Sequence, residues 1–382
     1  MTLHQLPSDL FSRAQPLFSK QIDHHLFCAG VLTGKYPGQV IVDNPDQPRS
    51  ALVVKGEMWC YLGGDSNNIA FNQALGVALS AKQFMGEDAP ALLFNISTAG
   101  WRQVLGTLIP DRLPIATPRF LYLANAAHFN APPPIPDGFS LHFMDQSLKD
   151  KVRGDLPEAV QQVLYLRANY QGPDQTAFGY VAVHDQICVS WAMIDTVVGT
   201  HGEIGLETLP MYQQRGLGTA LSGATIQYGL THGLTDIHWD AVSYNGPSVR
   251  MAEKYGLQRG LEYDQNLIIF GQASYLANLA WDHLDRNKFQ AVIEVCEQLL
   301  ESADGQKYGH FLSGAAWAGL GDKDKALYHL NKALDHGWDS LIEMENCSTL
   351  KSFHGTAEWA VILAHIKMNI ESGLTTVAQQ VS

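Results

Sequence analysis

The stretch 203-EIGLETLPMYQQRGLGTALSGATIQYG-229 constrains this chain most, because a strand-like period of two gives way within a few residues to a long helical pattern. Arg215, Gly216, Leu217 and Gly218 stand at the change. A helix N-terminus carries unsatisfied amide donors and the positive end of the helix dipole, so a glycine-bearing turn feeding straight into a helix makes a cradle for phosphate. Two common cradles fit poorly. A P-loop requires a lysine at a fixed place after the glycines, and none follows Gly218 there. A dinucleotide fingerprint requires a third glycine, but Leu221 occupies that position, and the preceding strand is amphipathic rather than wholly apolar.

The rest of the chain falls into three regions. Residues 1–130 form the first. It carries strand patterns at 39–44, 51–56, 58–64, 91–96 and 120–125, a helical pattern at 69–85, and ends in 131-APPPIPDG-138, whose prolines suit a linker. Residues 138–271 alternate strands (139–144, 177–185, 187–195, 202–209, 236–242, 266–270) with helices near 156–169, 217–232 and 247–256. The two strands flanking Asp185-Gln186 are joined so tightly that they must form an antiparallel hairpin, whereas the strand, helix, strand series from 202 to 242 implies a parallel crossover. The expected class is therefore α/β, in the α+β sense of a mixed sheet, followed by an all-α region at 275–370.

The loop, with its surroundings, resembles the GNAT (GCN5-related) N-acetyltransferase superfamily. The Q/R-x-x-G-x-G/A motif of that superfamily corresponds to Gln213, Gln214, Arg215, Gly216, Leu217 and Gly218. Downstream, Asn245, Ser248, Ala252, Lys254 and Gly256 match its N-x-x-S/A-x-x-x-A-x-K-x-G segment. The first region resembles the N-terminal half of a GNAT subgroup with an extra domain, half a GNAT sheet without a pyrophosphate loop. The resemblance implies that Gln213 through Thr219 hold the pyrophosphate of acetyl-CoA, that backbone at 206–209, Leu209 included, pairs with the pantetheine arm, and that Asn245 and Ser248 contribute to the cofactor site. It also implies an acyltransferase for a small amine or cationic metabolite.

Acyl transfer to an amine needs a base, because alkyl ammonium groups ionise near ~10.4. Glu203 and Glu207 alternate along one strand face, and Asp240 lies toward the C-terminal end of the strand expected beside them; these are the catalytic candidates. Each glutamate reads equally well as a solvated strand carboxylate. His238 shares the Asp240 face, as a proton relay or as a packed core histidine. Many GNAT enzymes carry a tyrosine as acid in the last helix, but Ala252 occupies that position here, so Tyr244 and Tyr255 are neighbours out of register and the acid is unassigned.

Composition supplies exclusions. The 25 Lys and Arg against 38 Asp and Glu leave a net charge of −13, which disfavours nucleic acid and anionic membranes as partners. Five scattered cysteines without CxxC spacing suggest buried thiols, and the histidines show no ligand spacing, so no metal is expected. With no basic, apolar leader and no apolar run of membrane length, the expectation is a cytoplasmic protein.

In the third region, 312-LSGAAWAGLGDKDKALYHLNKAL-334 resembles a tetratricopeptide repeat, and 281-WDHLDRNKFQAVIEVCEQLL-300 fits the same template more loosely. Two repeats and a capping tail are expected, with a protein partner or self-association as their use. The alternatives are a degenerate GNAT domain that senses acyl-CoA beside such a module, and an enzyme that acetylates a protein amine.

Overall fold

The computed structural model describes residues 2–86, 89–109, 112–169 and 177–380, with side chains through 372. Two compact units divide at Ile268 and Ile269. The first opens with β1 (His4–Gln5), two 3-10 turns, α1 (Leu26–Leu32), β2 (Gln39–Val42), β3 (Ser50–Lys55), β4 (Trp59–Gly64), α2 (Ile69–Ser80), β5 (Ala91–Ile96), α3 (Gly100–Leu108) and β6 (Ile115–Ala124). It continues with β7 (Ser140–Phe143), α4 (Glu158–Asn169), β8 (Phe178–His184), β9 (Ile187–Val198), β10 (His201–Thr208), α5 (Leu217–Thr231), β11 (Asp236–Val242), α6 (Gly246–Lys254) and β12 (Gln258–Ile269).

Local chemistry explains many of these boundaries. Asp185 and Gln186 both take positive φ, 48° and 65°, the backbone of a two-residue type I′ turn, which closes the β8–β9 hairpin at His184 and Ile187. Asn68 and Asn245 start α2 and α6 by accepting hydrogen bonds from the amides of Phe71 and Ser248. Beyond the sequence expectation lie α1, α3 and the first half of β12. That strand begins at Gln258 rather than 266, because pairing with β6 holds its polar start in the sheet.

All strands join one sheet in the order β1-β2-β3-β4-β5-β12-β6-β11-β10-β9-β8-β7. The regions 1–130 and 138–271 are thus interleaved: β6, the last strand of the first region, lies between β12 and β11 of the second. The same series of strand, helix, strand, helix, strand occurs twice, as β4-α2-β5-α3-β6 and as β10-α5-β11-α6-β12, each with a parallel first pair. One face of the second half packs Ile194, Ile204, Ile237 and Trp239 against Ile226 of α5 and Ala252 of α6. The opposite face receives α4 around Trp191 and Val181. On the first half of the sheet, Val40, Val53 and Tyr61 pack with Val31 of α1.

The second unit is helical: α7 (Gln272–Asp285), α8 (Phe289–Leu299), α9 (Gln306–Gly319), α10 (Lys323–Asp335), α11 (Leu341–Asn346) and α12 (Ala357–Gln380). Its core stacks Phe311 on Trp338 with ring centroids 3.9 Å apart, and Gly314 lets α9 approach Leu330 of α10, where a Cβ would sit 2.9 Å from that side chain. Among the described residues, no helix is long and apolar enough to cross a membrane, and no group of three or more His, Cys, Asp or Glu is placed to hold a metal ion.

Candidate active site

The two parallel strand pairs differ in a way that locates the site. In the first half, β4 stays paired with β5 from Trp59 to Leu62, and the side chain of Asn68 caps the helix that follows. In the second half, β10 pairs with β11 only over His201, Gly202 and Glu203. From Ile204 to Thr208 it keeps β9 alone, so the backbone edge facing β11 is open. The irregularity falls at the vertex, where the β9–β10 register shifts between Glu203 and Ile204.

At the far end of the open edge, Leu209 bonds back to Val189, a short 3-10 turn spans Pro210–Tyr212, and Gln213 donates to the carbonyl of Thr208 at 3.0 Å. Gln214 and Gly216 both have positive φ, 59° and 85°. Gly216 is the N-cap of α5, and among the described residues no side chain caps that helix, so the amides of Leu217, Gly218 and Thr219 are open to an outside acceptor. Gly218 packs close to the strand beneath: a Cβ there would lie 3.3 Å from a methyl of Leu206, a tight contact that the leucine side chain would have to relieve. The Arg215 guanidinium stands 5.3 Å from the Tyr212 ring. These residues fit a diphosphate, through open amides, a left-handed glycine and one cation at the same turn.

At the vertex, register puts Glu203, His238 and Asp240 on one sheet face, opposite α5. Glu207 is on this face too, exposed and four residues further along β10. Burial, with Asp240 and Asp195 nearby, pushes the Glu203 carboxyl up to about 8, only partly countered by Lys55 and Arg119. Asp240 is fixed by Arg119, whose Nε donates to Oδ1 at 2.9 Å, and by the Tyr263 hydroxyl, which donates to Oδ2. Arg119 also donates to Gln265 Oε1 at 3.2 Å. The ring of His25, just before α1, meets Tyr263 edge-on at 5.0 Å. Burial holds this imidazole neutral, with its pKa lowered to about 3.

His238 is 2 % exposed and burial lowers it to about 4, so it sits as a packed, neutral core histidine rather than at an open edge. Asn245 is occupied as the α6 cap, and the Ser248 hydroxyl accepts from Trp239 Nε1 at 3.1 Å. Tyr255 is buried and donates to the Thr219 carbonyl, tying the end of α6 to the start of α5. Sequence reasoning missed Arg119, Tyr263, His25 and Gln265. Only long-range pairing brings them to Asp240, and no local spacing signals it.

A family model for GNAT acetyltransferases matches residues 15–265. Among solved structures, a GCN5-related N-acetyltransferase-like protein from Streptococcus suis aligns with a TM-score of 0.51 at 20% identity, covering 68% of this chain and 98% of its own. That likeness is one of fold. A GCN5-related N-acetyltransferase from Sphaerobacter thermophilus aligns with a TM-score of 0.48 at 11% identity, covering 70% and 94%. A tandem GNAT protein from the clavulanic acid biosynthesis pathway aligns at 0.44 and 13% identity, covering 70% and 97%. No curated protein sequence matches the chain.

Proposed function

The chain belongs to the GNAT acetyltransferase family, and on that premise we propose that it transfers an acetyl group from acetyl-CoA to a small amine at the vertex between β10 and β11. The observation that carries this reading is the open edge of β10 from Ile204 to Thr208, which leads from the uncapped start of α5 to Glu203.

The amides from Arg215 to Thr219 hold the pyrophosphate, with Gln213 and Gln214 shaping the turn and the Arg215 side chain adding charge. The open edge of β10, through Leu209, receives the amides of the pantetheine arm, and Asn245 and Ser248 border it from α6. Acetyl-CoA would supply an activated thioester carbonyl. Glu203 accepts a proton from the incoming ammonium, and its raised pKa matches that work near neutral pH. Asp240, clamped by Arg119 and Tyr263, holds a fixed carboxyl group beside the amine. Glu207 lies further out on the same face, where it draws cations toward the vertex. Tyr255 is engaged with the Thr219 carbonyl, so CoA leaves as a thiolate or takes its proton from solvent.

Acetyl-CoA should raise the melting temperature of the full chain, and an amine panel should release free thiol. Binding without release from any amine would instead favour an acyl-CoA sensor. For the second unit we propose a tetratricopeptide-like pair of helical hairpins that meets a protein partner or a second copy. The tight approach of α9 and α10 at Gly314 supports this, and light scattering across a concentration series tests self-association.

A further inference from the structure

Glycine is a weak residue for the middle of a strand, because it packs no side chain and loses the most backbone entropy on folding. Where one stands there, it marks a left-handed backbone, a bulge, a close protein neighbour or the approach of a ligand. At Gly205 of β10 the first three are absent. Its φ lies outside the left-handed region. It pairs with Met193 in the regular register that runs from Ile204 to Thr208, beyond the shift that follows Glu203. Among the described residues, and apart from its chain neighbours, a Cβ there would meet one heavy atom within 4 Å, the methyl of Met193 at 3.9 Å. Gly202 of the same strand has a structural reason that Gly205 lacks, since a Cβ on it would lie 2.8 Å from Leu234 and 3.0 Å from Ile194.

Packing fixes which way this bare position faces. Ile204 and Leu206 turn toward α5, against Ile226 and Leu221, so Gly205 lies on the opposite face with Glu203 and Glu207. On that face α4 packs around Trp191, the partner of Glu207. The segment after α1 is anchored at Val197, the partner of Gly202, whose amide donates to the Tyr36 hydroxyl at 2.7 Å. Gly205 stands between these two attachments, and it, Met193 and Glu203 all keep partial exposure, with Glu207 fully exposed. The bare backbone lies about 7 Å along the strand from Glu203, one small carbon skeleton away from the proposed base.

We infer that Gly205 is the specificity-determining residue of the acceptor site, its missing side chain leaving room for an amine carried on a ring or branched skeleton rather than on a straight chain. This role rests on the proposed acetyl transfer and adds the acceptor's shape. With the amine nitrogen at Glu203, the skeleton lies over Gly205 beside the Met193 thioether, a soft apolar surface that suits a ring. The open edge of β10 lies in the plane of the sheet, so the peptide groups flanking Gly205 pair with the pantetheine arm while its α-carbon faces the acceptor. A side chain at this position would stand where the skeleton does, and crowding by a single methyl group is worth about tenfold or more in kcat/KM.

Gly205→Ala and Gly205→Val in the full-length protein test this, because the strand backbone there accepts either residue. Thiol release is measured with acetyl-CoA and butylamine, benzylamine or cyclohexylmethylamine, and melting with and without acetyl-CoA. Support is a parent kcat/KM higher for the two ring amines than for butylamine, and a loss of about tenfold or more for them in Gly205→Val, smaller in Gly205→Ala, while butylamine changes by less than about threefold. Both variants should melt no lower than the parent and keep its acetyl-CoA shift. A parent preference for butylamine, an equal loss for all three amines, or no loss for any overturns the assignment while leaving acetyl transfer standing. A clearly lower melting temperature would make the glycine structural, and a vanished acetyl-CoA shift would tie it to the cofactor arm; either result also overturns it. No thiol from any of the three amines with the parent overturns both this role and acetyl transfer.

Discussion

The Arg119 guanidinium donates to the Asp240 carboxylate at 2.9 Å, with both side chains about 15 % exposed, and so ties a strand from the first half of the unit to one from the second. Removing one member leaves the other charge without its partner in a poorly hydrated place. Arg119→Met should therefore destabilise the first unit by about 3–5 kcal/mol, while Arg119→Met with Asp240→Asn should lose clearly less. Urea unfolding of the three proteins checks the order.

Glu203 should impose the rising, acid-side limb of the rate profile. Burial holds its folded-state pKa near 8, above the ordinary 4.5, so the carboxyl is mostly protonated at pH 7 and becomes a base as pH rises through about 8. The kcat/KM for an amine should climb across that window. Glu203→Gln should flatten the climb and lower kcat about 10²–10⁴-fold. The linked effect on stability has the opposite sign: ionisation is resisted in the fold, so parent stability falls between the unfolded and folded values, and the glutamine variant should lack that fall. An unchanged profile in the variant would assign the base elsewhere.

Gly216 combines a left-handed backbone with the uncapped start of α5. Gly216→Asp introduces a Cβ in a strained conformation, worth about 1–2 kcal/mol, and sets a carboxylate where the diphosphate is expected. The melting temperature should fall modestly, and the acetyl-CoA-induced rise should vanish. Calorimetric titration with CoA gives the same answer without turnover.

Tyr255→Phe separates structure from catalysis. The hydroxyl bonds to the Thr219 carbonyl and lies 3.2 Å from Ser222 Oγ, so its loss should destabilise by about 1 kcal/mol. With this phenol engaged in the fold, kcat should stay within threefold of the parent. A hundredfold drop in kcat at saturating acetyl-CoA would make Tyr255 the missing acid.

Much of this molecule is legible from local pattern. The Asp185-Gln186 turn, the parallel crossover from β10 to β11 and the glycines at 216 and 218 are decided by backbone chemistry within a few residues, and the structure has them where periodicity and turn residues put them. Glu203 and Glu207 share a face, as alternation requires. What stayed hidden depends on partners more than a hundred residues away. Arg119 falls just outside the strand pattern at 120–125 until β6 lies against β11, and Gln258 to Gln265 has too few apolar residues to announce a strand until β6 supplies the ladder.

The placement of β6 between β12 and β11 also bears on synthesis. As the chain leaves the ribosome, Ile115 to Ala124 emerges long before residues 236–269, and neither neighbour exists to cover its two edges. The first half must wait, with a sticky ribbon uncapped, until almost the whole unit has been made. A break within 131–136 would give two fragments that each hold the other's closing strand, soluble only when produced together.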